Sequence, residues 1–314
     1  MTTIQLGSSG LTIAPLGIGT WAWGDSLFWG YGKDYGAPDL QSAFHGALDA
    51  GVNFFDTAEI YGFGESEKLL GQFMKETSQP VIIATKYFPL PWRFTKSAVA
   101  DTLTDSLKRL QVEAIALYQV HWPLDFFMQQ STLMDALADE VERGRIKAVG
   151  VSNYSADQMR QAQESLAKRG IPLAVNQVQY SLLSRQIERN GILATARNLG
   201  VAILAYSPLA QGLLTGKYSP ESSVSPKGAR SIDPRFSRQG LEKLAPIIDL
   251  LKQIGAAHQR TPAQVALNWL IAQGNVVPIP GAKNAEQAKQ NAGALGWEMT
   301  PEERKKLDQA TSDW

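Results

Sequence analysis

The feature that most constrains this chain is an alternation that repeats along nearly its whole length. Short apolar or β-branched runs occur at Leu16–Thr20, Asn53–Asp56, Val81–Lys86, Ala114–His121, Ala148–Ser152, Ala174–Gln177, Val201–Tyr206 and Val276–Pro280. Between them lie stretches with helical periodicity: Asp39–Ala50, Glu65–Lys75, Thr95–Leu110, Ser131–Arg143, Ser155–Arg169, Gly191–Leu199, Thr261–Gln273 and Asn284–Leu295. Most of these end at a glycine (Gly51, Gly144, Gly170, Gly200, Gly274, Gly296), the residue that most readily takes the left-handed conformation closing a helix. Strand, helix, glycine, next strand is the pattern of parallel strands joined by helical crossovers. Eight such units fit a closed barrel better than an open sheet, so the expected fold is an α/β (β/α)₈ TIM barrel. The structural alternative is a doubly wound sheet with a second domain. No composition shift marks a boundary for one, and residues 1–314 are read as a single barrel domain.

Three segments fall outside the repeat. Residues 3–14 (TIQLGSSGLTIA) read as an N-terminal β-hairpin turning at Gly-Ser-Ser-Gly and plugging the bottom of the barrel. Residues 207–240 form a long Pro/Gly/Ser/Arg-rich loop, and loops of that length in a compact domain are usually functional. The tail from Thr300 opens Thr-Pro-Glu-Glu, a helix start, and is expected to pack on the outside as an extra C-terminal helix.

Composition removes several classes of function. There is no cysteine, so disulfides, thiolate metal sites and thiol nucleophiles are excluded. The three histidines, His45, His121 and His258, are too scattered for a multi-histidine metal site, and no metal is expected. With 30 basic and 30 acidic side chains the net charge is zero, which gives no nucleic-acid footprint. The N-terminus does not read as a signal peptide, and no apolar run is long enough to span a bilayer. A cytoplasmic protein is expected, monomeric in the first instance with oligomers left open.

Active sites of such barrels lie at the C-terminal ends of the strands. The second strand ends at Asp56 with Tyr61 just beyond, the third at Lys86, the fourth at His121, the fifth at Ser152-Asn153; the sixth carries Gln177 and the seventh ends at Tyr206-Ser207. Each has an ordinary structural reading: Asp56 as a helix cap, Tyr61 as a loop aromatic, Lys86 as a surface lysine, His121 as a satisfied core histidine. Four ionisable groups at neighbouring strand ends outweigh those readings. A tyrosine has a reference pKa of about 10, and a nearby lysine cation is expected to lower it. A carboxylate holds the lysine in place, and a histidine can donate to a carbonyl oxygen. The cluster suits protonation of an oxyanion formed when a cofactor adds hydride to a carbonyl.

At this point the chain resembles the aldo-keto reductase superfamily. FFDTAEIYG (54–62), IATKY (83–87), LYQVHWP (117–123), VGVSNY (149–154), NQVQYSLL (176–183), AYSPLAQGLLTGKY (205–218) and IPGAKNAEQAKQN (279–291) resemble its blocks in order and spacing. The resemblance implies NADPH-dependent reduction of aldehydes or ketones, with Tyr61 as general acid, Lys86 and Asp56 assisting, and His121 orienting the carbonyl. It implies that Ser152, Asn153 and Gln177 bind the nicotinamide carboxamide and that Tyr206 stacks on its ring. Ser207, Pro208, Leu209, Gln211, Gly212, Leu213 and Lys217 would line the pyrophosphate. Pro280, Gly281, Ala282, Lys283, Gln287, Gln290 and Asn291 would hold the adenosine end, and Gly19, Thr20 and Trp21 would touch cofactor and substrate.

The family binds NADP without the GxGxxG fingerprint, and GIGTWAWG (17–24) lacks that spacing. Lys283, the candidate for the 2′-phosphate, stands where arginine is common in the family, and Gln290 where glutamate is common. PWRF (91–94) and residues 266–287 resemble the plastid and cyanobacterial branch. The substrate pocket is expected to include Tyr61, His121, Trp21, Trp92 and Trp122, with Arg93 as a possible carboxylate contact. Two rivals stay open: a cofactor-sensing partner such as the potassium-channel β subunits, and a metal-dependent barrel hydrolase.

Overall fold

In the computed structural model, which describes residues 3–220, 230 and 233–314, the chain opens on an antiparallel hairpin. Its strands are β1 (Ile4–Gln5) and β2 (Thr12–Ile13). Eight strands follow: β3 (Ile18–Gly19), β4 (Phe54–Asp56), β5 (Ile82–Tyr87), β6 (Ile115–Val120), β7 (Ile146–Ser152), β8 (Leu173–Gln179), β9 (Ala202–Tyr206) and β10 (Val276–Pro278). They pair in sequence order and all in parallel. Between β10 and β3 the Gly17 amide donates to Pro278 O at 3.0 Å and the Gly19 amide to Pro280 O at 3.0 Å, which closes the ring. The first and last strands are shorter than the apolar runs suggest. Pro278 and Pro280 have no N–H and cannot donate across this seam, and an isolated parallel bridge pairs Gly19 with Gly281.

The barrel helices are α1 (Ala37–Asp49), α2 (Glu65–Met74), α3 (Lys96–Leu110), α4 (Gln130–Glu142), α5 (Ala156–Ala167), a single turn α6 (Gln186–Arg189), α7 (Ile192–Leu199), α8 (Arg238–His258), α9 (Pro262–Ile271), α10 (Ala285–Ala292) and α11 (Pro301–Ala310). Side chains cap several helix starts. Thr95, Ser155, Thr261 and Thr300 each accept a first-turn amide, the last three as full capping boxes. The longest helix, α8, is absent from the sequence reading. Pro246 lies inside it and normally disfavours a helix interior by about 3 kcal/mol. Leu244, Ile247, Ile248, Leu251 and Ile254 nevertheless bury one continuous face, and Ser237 caps its start.

Strand alternation sorts the side chains into two layers. Phe55, Ile83, Tyr87, Tyr118 and Val120 point outward into the helix layer. Phe54, Ala84, Leu117, Val175 and Leu204 point inward and fill the lower barrel with Leu6 and Ile13 of the hairpin. Gly7 lets the hairpin seat there: its φ is +55°, and a Cβ would lie 2.7 Å from both Ala174 O and Gly200 O. Two residues further along the same inward rows come Asp56, Lys86, Gln119 and Gln177, so an apolar layer supports a polar one. The tail helix α11 packs outside, where Trp269 Nε1 donates to Asp308 at 3.0 Å. Among the described residues no helix is long and apolar enough to cross a membrane.

Candidate active site

The polar layer is organised around Asp56, which is 2% exposed. Its Oδ1 accepts from Lys86 Nζ at 2.5 Å, and its Oδ2 accepts from Gln119 Nε2 at 2.9 Å and Gln177 Nε2 at 2.8 Å. Lys86, wholly buried, also donates to Thr57 O at 2.8 Å and reaches Tyr61 Oη at 3.5 Å. Burial pushes the Lys86 ammonium down, but Asp56 and Tyr61 outweigh it and the net shift is upward, so the cation is secure. Gln119 is a site residue the sequence reading missed. Its signal is an amide on the inward row of an otherwise apolar strand. Gly150 of β7 makes room for it, because a Cβ there would lie 2.9 Å from Gln119 Cγ and 2.6 Å from Val175 Cγ2.

Tyr61 opens a short 3₁₀ turn after β4, half-buried, with Lys86 Nζ 5.0 Å from its ring centroid. The expected lowering of its pKa is corrected here. Burial raises the phenol, Lys86 pulls it down and Asp56 pushes it up, and the sum lies above the ordinary value. Desolvation of the phenolate outweighs one cation that is itself shared with a carboxylate. His121 lies edge-on to Tyr61 with centroids 5.7 Å apart, and to Phe88 at 5.6 Å. Burial and then Lys86 push its imidazole down to about 3, so it is neutral at physiological pH. Its Nδ1 is buried without a hydrogen-bond partner.

The fifth, sixth and seventh barrel strands end around the same mouth. Asn153, at φ +63°, donates through Nδ2 to His121 O at 3.2 Å and Ser152 Oγ at 3.0 Å, and accepts at Oδ1 from Tyr206 Oη at 3.1 Å. Ser152 Oγ donates to Gln177 O at 2.9 Å. Beyond β9 the chain turns tightly through Ser207, Ala210, Gln211 and Gly212, all at positive φ, past Pro208, Leu209 and Leu213. Lys217 lies over the Tyr218 ring at 4.9 Å. After β10, Pro280 O holds Gly19, Ala282 O accepts from Trp23 Nε1 at 2.9 Å, and Gly281 O accepts from Asn291 Nδ2 at 3.2 Å. Gln287 Oε1 accepts the Lys283 amide at 2.9 Å, while Gln290 turns to Glu286 on its own helix. Lys283 Nζ donates to Trp29 O at 3.1 Å and sits 4.1 Å above the Tyr35 ring. Of loop 207–240, residues 221–229 and 231–232 lie outside the described set.

Three side chains are placed otherwise than the sequence suggests. Thr20 is buried, its hydroxyl donating to Asp56 O at 3.0 Å and lying 2.8 Å from Ser66 Oγ, so it braces β4. Arg93 is corrected as a carboxylate contact. Glu59 holds it through Oε1 at 2.5 Å and Oε2 at 2.9 Å, and it stacks on the outward-facing Tyr87. Trp92 is 68% exposed with no contact to the tetrad, whereas Trp21 lies 6.4 Å from the Tyr61 ring. The exposed large apolar side chains among the described residues (Trp21, Leu27, Phe28, Ile60, Phe63, Trp92, Phe94, Trp122, Phe126, Phe127) all follow β3, β4, β5 or β6. Half the mouth is thus rimmed with apolar groups, and the other half with amides, hydroxyls and lysines. No cluster of three or more His, Cys, Asp or Glu able to hold a metal occurs among the described residues.

A buried carboxylate–lysine pair beside a tyrosine and a neutral histidine thus lies at the mouth of an eight-stranded barrel. The aldo/keto reductase family matches residues 15–312, and the chain belongs to that family. It is 41% identical to the chloroplastic pyridoxal reductase of Arabidopsis thaliana, over 96% of this chain and 84% of that one. It is 30% identical to the aldo-keto reductase YhdN of Bacillus subtilis, over 98% and 93%. Among solved structures it resembles the glycerol dehydrogenase of Gluconobacter oxydans (TM-score 0.86, 31% identity, 99% and 95% covered). It also resembles an aldo-keto reductase of Klebsiella pneumoniae in complex with NADPH (TM-score 0.76, 28%, 98% and 95%).

Proposed function

We propose that this protein reduces aldehydes or ketones with NADPH, using Tyr61 as proton donor, and that residues 1–314 act as one unit. The observation that carries the reading is the fully buried Lys86 ammonium, 2.5 Å from Asp56 and 3.5 Å from Tyr61 Oη. The residues present fit the cofactor. Burial, reinforced by Arg230 and Lys217, depresses the Lys283 ammonium to about 8, and Arg230 Nε is a buried donor with no acceptor. Such a place accommodates phosphate. Ser152, Asn153, Gln177 and Tyr206 would hold the nicotinamide end, the 207–217 turn the pyrophosphate, and the 280–291 segment the adenosine end. When bound, the cofactor supplies the hydride.

The chain's own residues do the rest. Tyr61 is protonated at neutral pH and gives its Oη proton to the carbonyl oxygen, while Lys86 beside it stabilises the phenolate left behind. Asp56, held by Gln119 and Gln177, keeps Lys86 charged and in place. Neutral His121 donates one hydrogen bond to the carbonyl and does not compete as an acid. The apolar half of the rim favours a carbonyl carried on an aromatic or apolar body. The plant relative's name points to pyridoxal, an aromatic aldehyde that suits Trp21 and Trp122. With Arg93 tied to Glu59, a neutral substrate suits this side better than an anionic one.

The test is NADPH consumption with pyridoxal and a panel of neutral aromatic and short aliphatic aldehydes. Turnover is expected with the aromatic compounds, and Tyr61→Phe is expected to lose it while still binding NADPH. Near-normal turnover in Tyr61→Phe would remove Tyr61 as donor. Tight NADPH binding with no turnover on any carbonyl would favour the cofactor-sensing reading.

A further inference from the structure

Trp29 belongs to none of the motifs above. It sits half-buried in the connection between β3 and α1, and two cations from distant parts of the chain face its ring. Lys283 Nζ lies 5.0 Å from its centroid and Arg230 Cζ 5.1 Å. Lys283 also donates to the Trp29 carbonyl, and Arg230 Nη1 to Tyr218 Oη at 3.3 Å. Aromatic faces and neutral oxygens are the weaker partners of a cation, and these two use them in preference to a carboxylate. Two more donors are buried here without an acceptor: Trp29 Nε1 and Arg230 Nε. An unsatisfied buried N–H is costly enough that each calls for an explanation. Here both have the same one, since both belong to a group of donors and positive charges to which, among the described residues, no carboxylate is bonded; Asp34 and Asp25 act on Lys283 only through space. Trp29 also meets Trp21 edge-on at 5.4 Å, so its loop borders the proposed substrate side.

We infer that Trp29 is a phosphate ligand for the dinucleotide: its indole Nε1–H donates to a phosphate oxygen held with Lys283 and Arg230, both of which face its ring. The inference rests on the NADPH reading above. The cofactor presents this chemistry twice, at the 2′-phosphate and at the pyrophosphate. An indole N–H serves either, because an anionic oxygen accepts from a neutral donor in a charge-assisted bond.

The experiment is equilibrium titration of the full chain with NADPH and, separately, NADH, without carbonyl substrate, followed by calorimetry. Wild type is compared with Trp29→Phe, which keeps a ring and removes the donor, and Trp29→His, which restores an N–H. Trp29→Phe is expected to raise the NADPH dissociation constant about tenfold, and Trp29→His to recover part of that loss. Weakening of NADPH with NADH spared places the donor at the 2′-phosphate; equal weakening places it at the pyrophosphate. Either supports the inference. Unchanged NADPH affinity in Trp29→Phe, or Trp29→His no better than Trp29→Phe, overturns it. Circular dichroism checks folding, and Trp29→Met replaces Trp29→Phe if the latter does not fold. If wild type itself fails to bind NADPH, the functional reading fails; if wild type binds and Trp29→Phe binds equally well, only the role of Trp29 fails.

Discussion

The proposed chemistry of Tyr61 depends on groups delivered at the ends of β4, β5 and β6. Lys86 and His121 act on it from opposite requirements: the lysine must stay charged, and the histidine must stay neutral. The environment meets both, with a carboxylate 2.5 Å from the ammonium and with burial beside that same ammonium for the imidazole. His121 thereby links stability to pH. Its folded pKa of about 3 lies below the ordinary value of 6.5, so the unfolded chain binds the extra proton between the two. The contribution of neutral His121 is fully present above pH 6.5 and is lost as pH falls toward 3. Wild-type stability measured against His121→Asn should therefore drop by about 1.4 kcal/mol per pH unit in that window. Urea denaturation at pH 7, 6 and 5 checks this, and a difference independent of pH would show that His121 ionises freely in the fold. At this scale Asp56, Tyr61, Lys86 and His121 were legible as strand-end residues. The sign of the Tyr61 shift was not, because it depends on how deeply the phenol is buried, which no spacing reports.

At the scale of the element, strand periodicity explains most of what is seen. The inward row of β6 carries Leu117 and Gln119 and runs on to His121 just past its end, so the strand that contributes to the apolar plug also contributes to the candidate site. The reading by strand ends found His121 and passed over Gln119, which lies within the strand and matters only because Gly150 on the next strand leaves space for it. Gly150→Ala is expected to push Gln119 off Asp56. Overpacking should cost about 1–3 kcal/mol in urea denaturation, with reduction rate falling more than NADPH affinity. Stability within about 0.5 kcal/mol of wild type would mean the inner layer absorbs the methyl group. Helix α8 teaches the reverse lesson. Pro246 is a local signal against helix, yet burial of Leu244, Ile247, Ile248, Leu251 and Ile254 prevails, because packing of a long apolar face outweighs one local penalty.

Across the whole molecule the barrel divides its mouth between two kinds of surface. Loops after β3 to β6 present apolar side chains, and segments after β7 to β10 present the polar groups expected to meet a nucleotide. Lys283 stands where the two halves meet, bonded to the loop that carries Trp29. Lys283→Ala is expected to raise the dissociation constant of NADPH by about tenfold and that of NADH by less, since only NADPH carries the 2′-phosphate. Equal effects on both, measured by titration, would show that Lys283 meets another part of the cofactor.

The order of the barrel strands, the helices between them other than α6 and α8, the hairpin and the identity of the four ionisable residues could be read from the chain, because each is written in a local period or at a fixed offset from one. Tertiary structure alone decided what those residues meet. Gly150 yields to Gln119, two prolines withhold donors from the closing seam, Arg93 turns to Glu59, and Trp29 comes to face both Lys283 and Arg230. The reason is physical: a periodic pattern records which face of an element is buried, whereas the partner on that face is chosen only when the barrel closes.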